Sequence, residues 1–218
     1  MVVFNCNPKR ILAGLISFAV FFMYVVPLPA VATVISGVNP QGNVYNIEAA
    51  KVHNTTGFRH YEKFELSKND IANLLFKKSN GAEYSKFVNL VDNCIRINGI
   101  VNTMKNGQFY NGHAIFVSPN GFILGSSGIM NVGSLSVLTP NLSKYNAFKN
   151  AYENDLSGYQ YGGDEYKKVI TASDGKIEIY GKILSREEVN LYGKEILVGD
   201  GTNRAGILAG VNNNTTFD

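Results

Sequence analysis

The hydrophobic pattern of this chain comes in short bursts of period two. Ile95-Arg96-Ile97-Asn98-Gly99-Ile100-Val101 alternates apolar and polar positions and breaks at a glycine. The same template returns in Ile177-Glu178-Ile179-Tyr180-Gly181-Lys182-Ile183 and in Val189-Asn190-Leu191-Tyr192-Gly193-Lys194, and these two copies start twelve residues apart. Alternation places the apolar pair on one face of each strand, and the glycine lets the backbone bend away. Repetition of such a unit predicts a solenoid, each turn burying its apolar face on the next. The rival is a sandwich of hairpins, since Asn98-Gly99, Asn106-Gly107, Asn111-Gly112 and Asn120-Gly121 all suit tight two-residue turns. The alternating units are short, separated by polar corners and without long partner strands. That favours a right-handed parallel β-helix, with a small antiparallel excursion between Val101 and Ala114.

Alternation also predicts strands around Val44-Tyr45-Asn46-Ile47 and from Tyr61 to Leu66. This N-terminal region is expected to cap the first turn, because an open solenoid end is a row of unpaired strand edges. One short helix interrupts the pattern. Ser143 could N-cap a run through Leu156, with Tyr145, Phe148, Tyr152 and Leu156 at three- and four-residue steps and Ser157-Gly158 ending it. The stretch from Tyr159 to Asp164 reads as an exposed loop. The final Asn212 to Asp218 carries no obvious closing cap, which reads as a truncated array.

The first 32 residues change the picture of where the chain works. Lys9 and Arg10 precede an apolar or small-residue run from Ile11 to Val26, Pro27 and Pro29 break it, and Ala30-Val31-Ala32 supplies small residues. That is the layout of a secretory signal peptide cleaved after Ala32, so residues 1–32 are set apart from a domain at 33–218. The apolar run is shorter than the ~20 residues that span a bilayer. The chain carries 20 Lys and Arg against 17 Asp and Glu, and Lys9 and Arg10 leave with the leader. What remains is nearly neutral and gives no electrostatic footprint for nucleic acid. Cys6 also leaves, so Cys94 has no disulfide partner, and it reads as a small buried side chain.

The segment from Phe87 to Pro140 holds the most specific wording. Ala114-Ile115-Phe116-Val117 runs into Ser118-Pro119-Asn120-Gly121-Phe122, then Ile123-Leu124-Gly125, and later Met130-Asn131-Val132-Gly133-Ser134-Leu135-Ser136-Val137. Pro119 pre-sets the second position of a β-turn, and Asn120 and Gly121 tolerate left-handed geometry after it. Asn131 could lock a corner through its amide, and Gly133 permits close stacking. The ordered series resembles the haemagglutination-activity (two-partner secretion) domain, most closely in the leukotoxin-like filamentous adhesins. The family signature is an Asn-Pro-Asn-Gly-Ile turn, a Phe-Gly strand end and an Asn-Val-Gly-Ser/Gly-Leu segment. Asp174-Gly175-Lys176-Ile177 and Gly206 to Val211 extend the resemblance over roughly residues 36–218. Ser118 and Phe122 stand where the family has Asn and Ile, and a second motif, Asn-Pro-Asn-Leu, is absent near Lys77 to Ala82.

The resemblance implies an exported N-terminal secretion domain of a large filamentous adhesin or haemagglutinin. Export would run through the Sec translocon and signal peptidase into the periplasm of a diderm bacterium. Periplasmic domains of a dedicated outer-membrane transporter would then capture the chain, and the β-helix would nucleate at the cell surface. On that reading Ser118, Pro119, Asn120, Gly121 and Phe122 form the partner motif. Gly125, Asn131, Val132, Gly133, Ser134 and Leu135 shape the fold, and a distal part of the longer protein binds host or bacterial surfaces. No enzymatic activity, cofactor or metal is implied. The alternatives are a β-helix polysaccharide-degrading enzyme, which needs carboxylates converging on one face, and an autotransporter passenger fragment. Asp164-Glu165 and Glu187-Glu188 read as solvated loop pairs, and His53, His60 and His113 show no metal-ligand spacing.

Overall fold

The alternating segments fold as strands in a computed structural model that describes residues 32–159, 173–201 and 205–210. The N-terminal turn comprises β1 (Val34–Ile35), β2 (Val44–Glu48), β3 (Lys51–His53) and β4 (Thr56–Tyr61). The first full coil is β5 (Phe64–Leu66), β6 (Ile71–Leu75) and β7 (Lys86–Val91). The second is β8 (Ile95–Ile97), β9 (Ile100–Lys105), the short β10 (Gln108–Phe109) and β11 (His113–Val117). The third is β12 (Phe122–Leu124), β13 (Ile129–Val132) and β14 (Ser134–Leu138), followed by helix α1 (Leu142–Asn154). The fourth is β15 (Lys176–Ile179), β16 (Lys182–Ser185) and β17 (Val189–Tyr192), and β18 (Glu195–Val198) and β19 (Gly206–Leu208) begin another.

Successive coils stack into three sheets. The first runs β1-β5-β8-β12-β15-β18, the second β2-β6-β9-β13-β16-β19, and the third β3-β4-β7-β11-β14-β17. Pairing is parallel throughout except for β1 on β5, β3 on β4 and β10 on β9. The fold is therefore the parallel β-helix that the alternation predicts. Two of its antiparallel pairs close the N-terminal edges of the first and third sheets. The third is the excursion within the second coil, where Asn106 (φ 53°) and Gly107 (φ 77°) supply the left-handed pair that a tight hairpin turn needs. Asn98-Gly99, Asn111-Gly112 and Asn120-Gly121 make corners instead.

The twelve-residue repeat is not the stacking period. Ile177 and Val189 lie in different sheets of one coil, whereas the stack in the first sheet runs Ile95, Phe122, Ile177, Ile196. Coil length varies because insertions are taken up at the corners, the largest carrying α1. Inward side chains fill the interior as an aromatic and branched column. Phe116 meets Phe64 edge-on at 5.5 Å and Phe122 at 6.0 Å, and Phe87 meets Phe76 and Tyr84 edge-on.

Helix α1 begins two residues earlier than the sequence suggests and ends at Asn154 rather than running through Leu156, because Asp155 leaves the helical conformation. Asn141, not Ser143, is its N-cap, with Oδ1 accepting from Lys144 N at 2.9 Å. Its Tyr145 and Phe148 pack on Phe58, Val88, Leu90, Ile115, Val117 and Leu138, the outward side chains of the third sheet. That sheet is buried on both faces, which is why Ala114-Ile115-Phe116-Val117 reads as an unbroken apolar run rather than an alternation. Lys51 on β3 donates from Nζ to the Tyr152 and Glu153 carbonyls at 2.6 and 3.0 Å, placing a cation at the negative end of the helix. Of the loop foreseen at Tyr159 to Asp164, all but Tyr159 lies outside the described residues, as do residues 1–31 and 211–218.

The outer face of the second sheet carries a row of amides. Asn46, Asn73, Asn102 and Asn131 occupy equivalent positions in β2, β6, β9 and β13. Asn73, Asn102 and Asn131 each donate from Nδ2 to the Oδ1 of the asparagine before it, at 3.0, 3.1 and 3.2 Å. Asn131 thus sits mid-strand and bonds to a side chain. It does not lock a corner through backbone.

Candidate functional site

The residues singled out in the sequence spell one coil, the third, read in order round its corners. Ser118 to Gly121 turn the chain from the third sheet into the first. Gly125 leads from the first sheet to the second, and Gly133 links β13 directly to β14. The two groups therefore do not converge on one pocket.

At the first corner the side chains of Ser118 and Asn120 and the Gly121 carbonyl bond to the preceding coil. Ser118 is buried. Its Oγ donates to the Asn93 carbonyl at 2.8 Å and accepts from Asn120 N at 3.2 Å. Asn120 Nδ2 donates to the Asp92 carbonyl at 2.7 Å, and the Gly121 carbonyl accepts from Ile95 N at 3.0 Å. Gly121 has φ of 100°, and a Cβ there would meet the Lys176 carbonyl of the next coil at 2.9 Å. Phe122 then enters the core.

At the other corners the packing is equally close. A Cβ on Gly125 would strike the Asn98 side chain, and one on Gly133 would strike Asn111 and Gly112 of the preceding coil. The Gly133 carbonyl accepts from Ser185 Oγ at 2.8 Å and from Glu187 N at 2.9 Å. Val132 and Leu135 are core residues. Ser134 Oγ donates to Glu187 Oε2 at 2.9 Å, and Asn111 Nδ2 donates to Glu187 Oε1 at 2.6 Å. Glu187 and Glu188 are exposed in the loop before β17, as the sequence suggests, and those two bonds tie the Glu187 carboxylate to the neighbouring coils. Asp164 and Glu165 lie outside the described residues.

The structure adds a polar cluster that sequence spacing does not suggest. Asp92, at the end of β7, accepts from Tyr145 Oη at 2.9 Å and from Lys149 Nζ at 3.0 Å, both on α1. His60 Nε2 stands 2.9 Å from the same carboxylate. Burial pushes the Asp92 carboxyl up, but His60, Lys149 and Tyr145 together outweigh it and hold it below the ordinary value. Because the Asp92 carbonyl also receives Asn120, one residue joins the Ser118–Phe122 corner to the helix. A depressed carboxyl contributes stability above its unfolded pKa and loses it as pH falls through the lowered folded value. Asp92→Asn should therefore cost about 1 kcal/mol at neutral pH, since the pair is partly exposed. Urea unfolding should show the difference from the parent chain shrinking toward pH 3, below the ~3.9 of a free Asp.

His113 is buried beside Ser136, with Nε2 and Oγ 2.8 Å apart. Burial first, and then the Lys86 charge, lower its pKa to about 4. Among the described residues no three His, Cys, Asp or Glu side chains form a metal-binding group, and no helix is long and apolar enough to cross a membrane. Cys94 is half-buried and its thiol is pushed up by burial.

Beside the first corner, on the outer face of the first sheet, lies a groove of about 380 Å³. Cys94, Arg96, Asn120, Asp174, Lys176 and Glu178 are among the residues that line it. Compared with models of known protein families, with curated proteins and with solved structures, the chain matches none.

Proposed function

We propose that this chain is the exported N-terminal secretion domain of a large filamentous adhesin or haemagglutinin of the two-partner class. The leader directs it through the Sec translocon. Periplasmic domains of an outer-membrane transporter then take up the unfolded chain, and it folds outside the cell from its capped N-terminal end. The observation that carries this reading is the third coil. The ordered motif series that prompts the resemblance occupies one complete turn, and its polar members each clasp an adjacent coil. A segment of that kind suits a chain that folds coil upon coil as it emerges.

The test is secretion with a co-expressed two-partner transporter. The chain should reach the medium in a protease-resistant form only when the transporter is present. Pro119→Ala with Asn120→Ala should lower export severalfold. Transporter-independent export would overturn the reading, and undiminished export of the double variant would remove the corner from the partner contact.

A further inference from the structure

The three sheets present different outer faces. That of the first carries Glu65, Arg96 and Glu178, and that of the third lies under α1. Among the described residues the middle of the second sheet's outer face carries no charge. Beside its asparagine row runs a row of half-buried branched side chains, Val44, Ile71, Ile100 and Ile129, and on the other side stand Leu75 and Met104. None of these six belongs to either buried cluster. A continuous apolar face of this kind marks an association surface. Charge returns only at its two ends. Glu48 closes β2 in register with Leu75 and Met104. At the far end Lys182 continues the branched row on β16, and Arg186 follows that strand. The Arg186 guanidinium stands 4.8 Å over the ring of Phe109, which pairs with Met104, so Arg186 lies on the same side of the face as Glu48.

We infer that two copies of this chain pair through this face about a two-fold axis that runs along β9. Ile100 then meets Ile100 of the second copy, Asn102 meets Asn102, and Ile71 lies on Ile129. The axis reverses the coil order, so Glu48 of each copy falls on Arg186 of the other. A two-fold axis along the solenoid would instead set Lys182 against Arg186 of the second copy. Charge therefore selects the first arrangement. It also keeps the strands of the two faces nearly aligned, a common way for sheets to pack. Five strands about 4.8 Å apart and about 17 Å long project roughly 400 Å² per copy, which side-chain relief raises to about 1,000 Å² of accessible surface for the pair. That is near the lower limit for a specific interface and sets Kd of order 10 µM. This inference does not depend on the export reading.

Sedimentation velocity of the full chain from about 1 to 300 µM tests it. The weight-average coefficient should rise from monomer to dimer and no further, since a two-fold contact closes on itself. Ile100→Lys sets two ammonium groups beside the axis and should weaken association at least about tenfold, with an unchanged circular dichroism spectrum. Glu48→Lys and Arg186→Glu each place like charges across the interface and should each weaken it severalfold. Combined in one chain they should restore it. A chain that stays monomeric over that range, association beyond a dimer, indifference to any of the three single changes, or failure of the paired reversal to restore association overturns the assignment.

Discussion

Gly133→Ala is expected to destabilise the chain by about 3 kcal/mol or more, read as a shift in the urea unfolding midpoint. The added methyl would meet not a flexible side chain but the backbone of Asn111 and Gly112, with the Gly112 nitrogen and carbonyl oxygen 2.6 Å away. Neither can withdraw. The Gly112 carbonyl receives Ser134 N, and a Phe76 ring atom lies 2.6 Å from where a Gly112 Cβ would be. Gly107→Ala is the informative control. Nothing lies within 4 Å of its Cβ, so its cost comes only from φ of 77° and should be about 1–2 kcal/mol. Equal effects at the two positions would show that coil-to-coil approach does not limit the Gly133 corner.

Phe116→Ala should cost about 3–5 kcal/mol. The ring is fully buried midway up the column and bridges Phe64 below to Phe122 above. Removing it takes away contacts on two coils at once, and parallel strands fixed by their backbone ladders cannot close the gap. Phe116→Leu retains most of the volume and should cost under about 2 kcal/mol. A loss below about 1 kcal/mol for the alanine variant, in thermal or urea unfolding, would mean that the interior collapses far more freely than a stacked solenoid should.

Much of this architecture is legible in the sequence, and for identifiable reasons. Ile95-Arg96-Ile97 and Ile177-Glu178-Ile179 alternate because one face meets the core and the other meets solvent, so strand and orientation follow together. What alternation does not carry is which strand stacks on which. Phe122 pairs with Ile177 across the long α1 insertion, whereas Lys176 pairs with Glu195 on the very next turn. A fixed repeat length is therefore absent, and the twelve-residue echo between Ile177 and Val189 points to the wrong neighbour. A better signal was present in the 29-residue spacing of Ile71, Ile100 and Ile129, and of Asn73, Asn102 and Asn131, which are the true stacking partners. The helix was readable from Tyr145, Phe148 and Tyr152. Its docking surface was hidden, because a doubly buried strand such as His113–Val117 has no polar face to reveal it. At the site, the corner geometry of Pro119-Asn120-Gly121 could be foreseen from turn chemistry. The partners Asp92, Asn93 and Lys176 belong to other coils, and no local rule connects them.

The row of asparagines bears on how a newly folding chain avoids mis-threading. The two inner amides, Asn73 and Asn102, both give and receive along the same axis, so the row is continuous only while every rung arrives in phase. A strand laid down one residue out of step would turn its asparagine inward and an apolar neighbour outward. That would strand an amide in the hydrocarbon interior and sever the row on both sides. The penalty falls on the rung that erred, as soon as it is laid, before later rungs commit to the mistake.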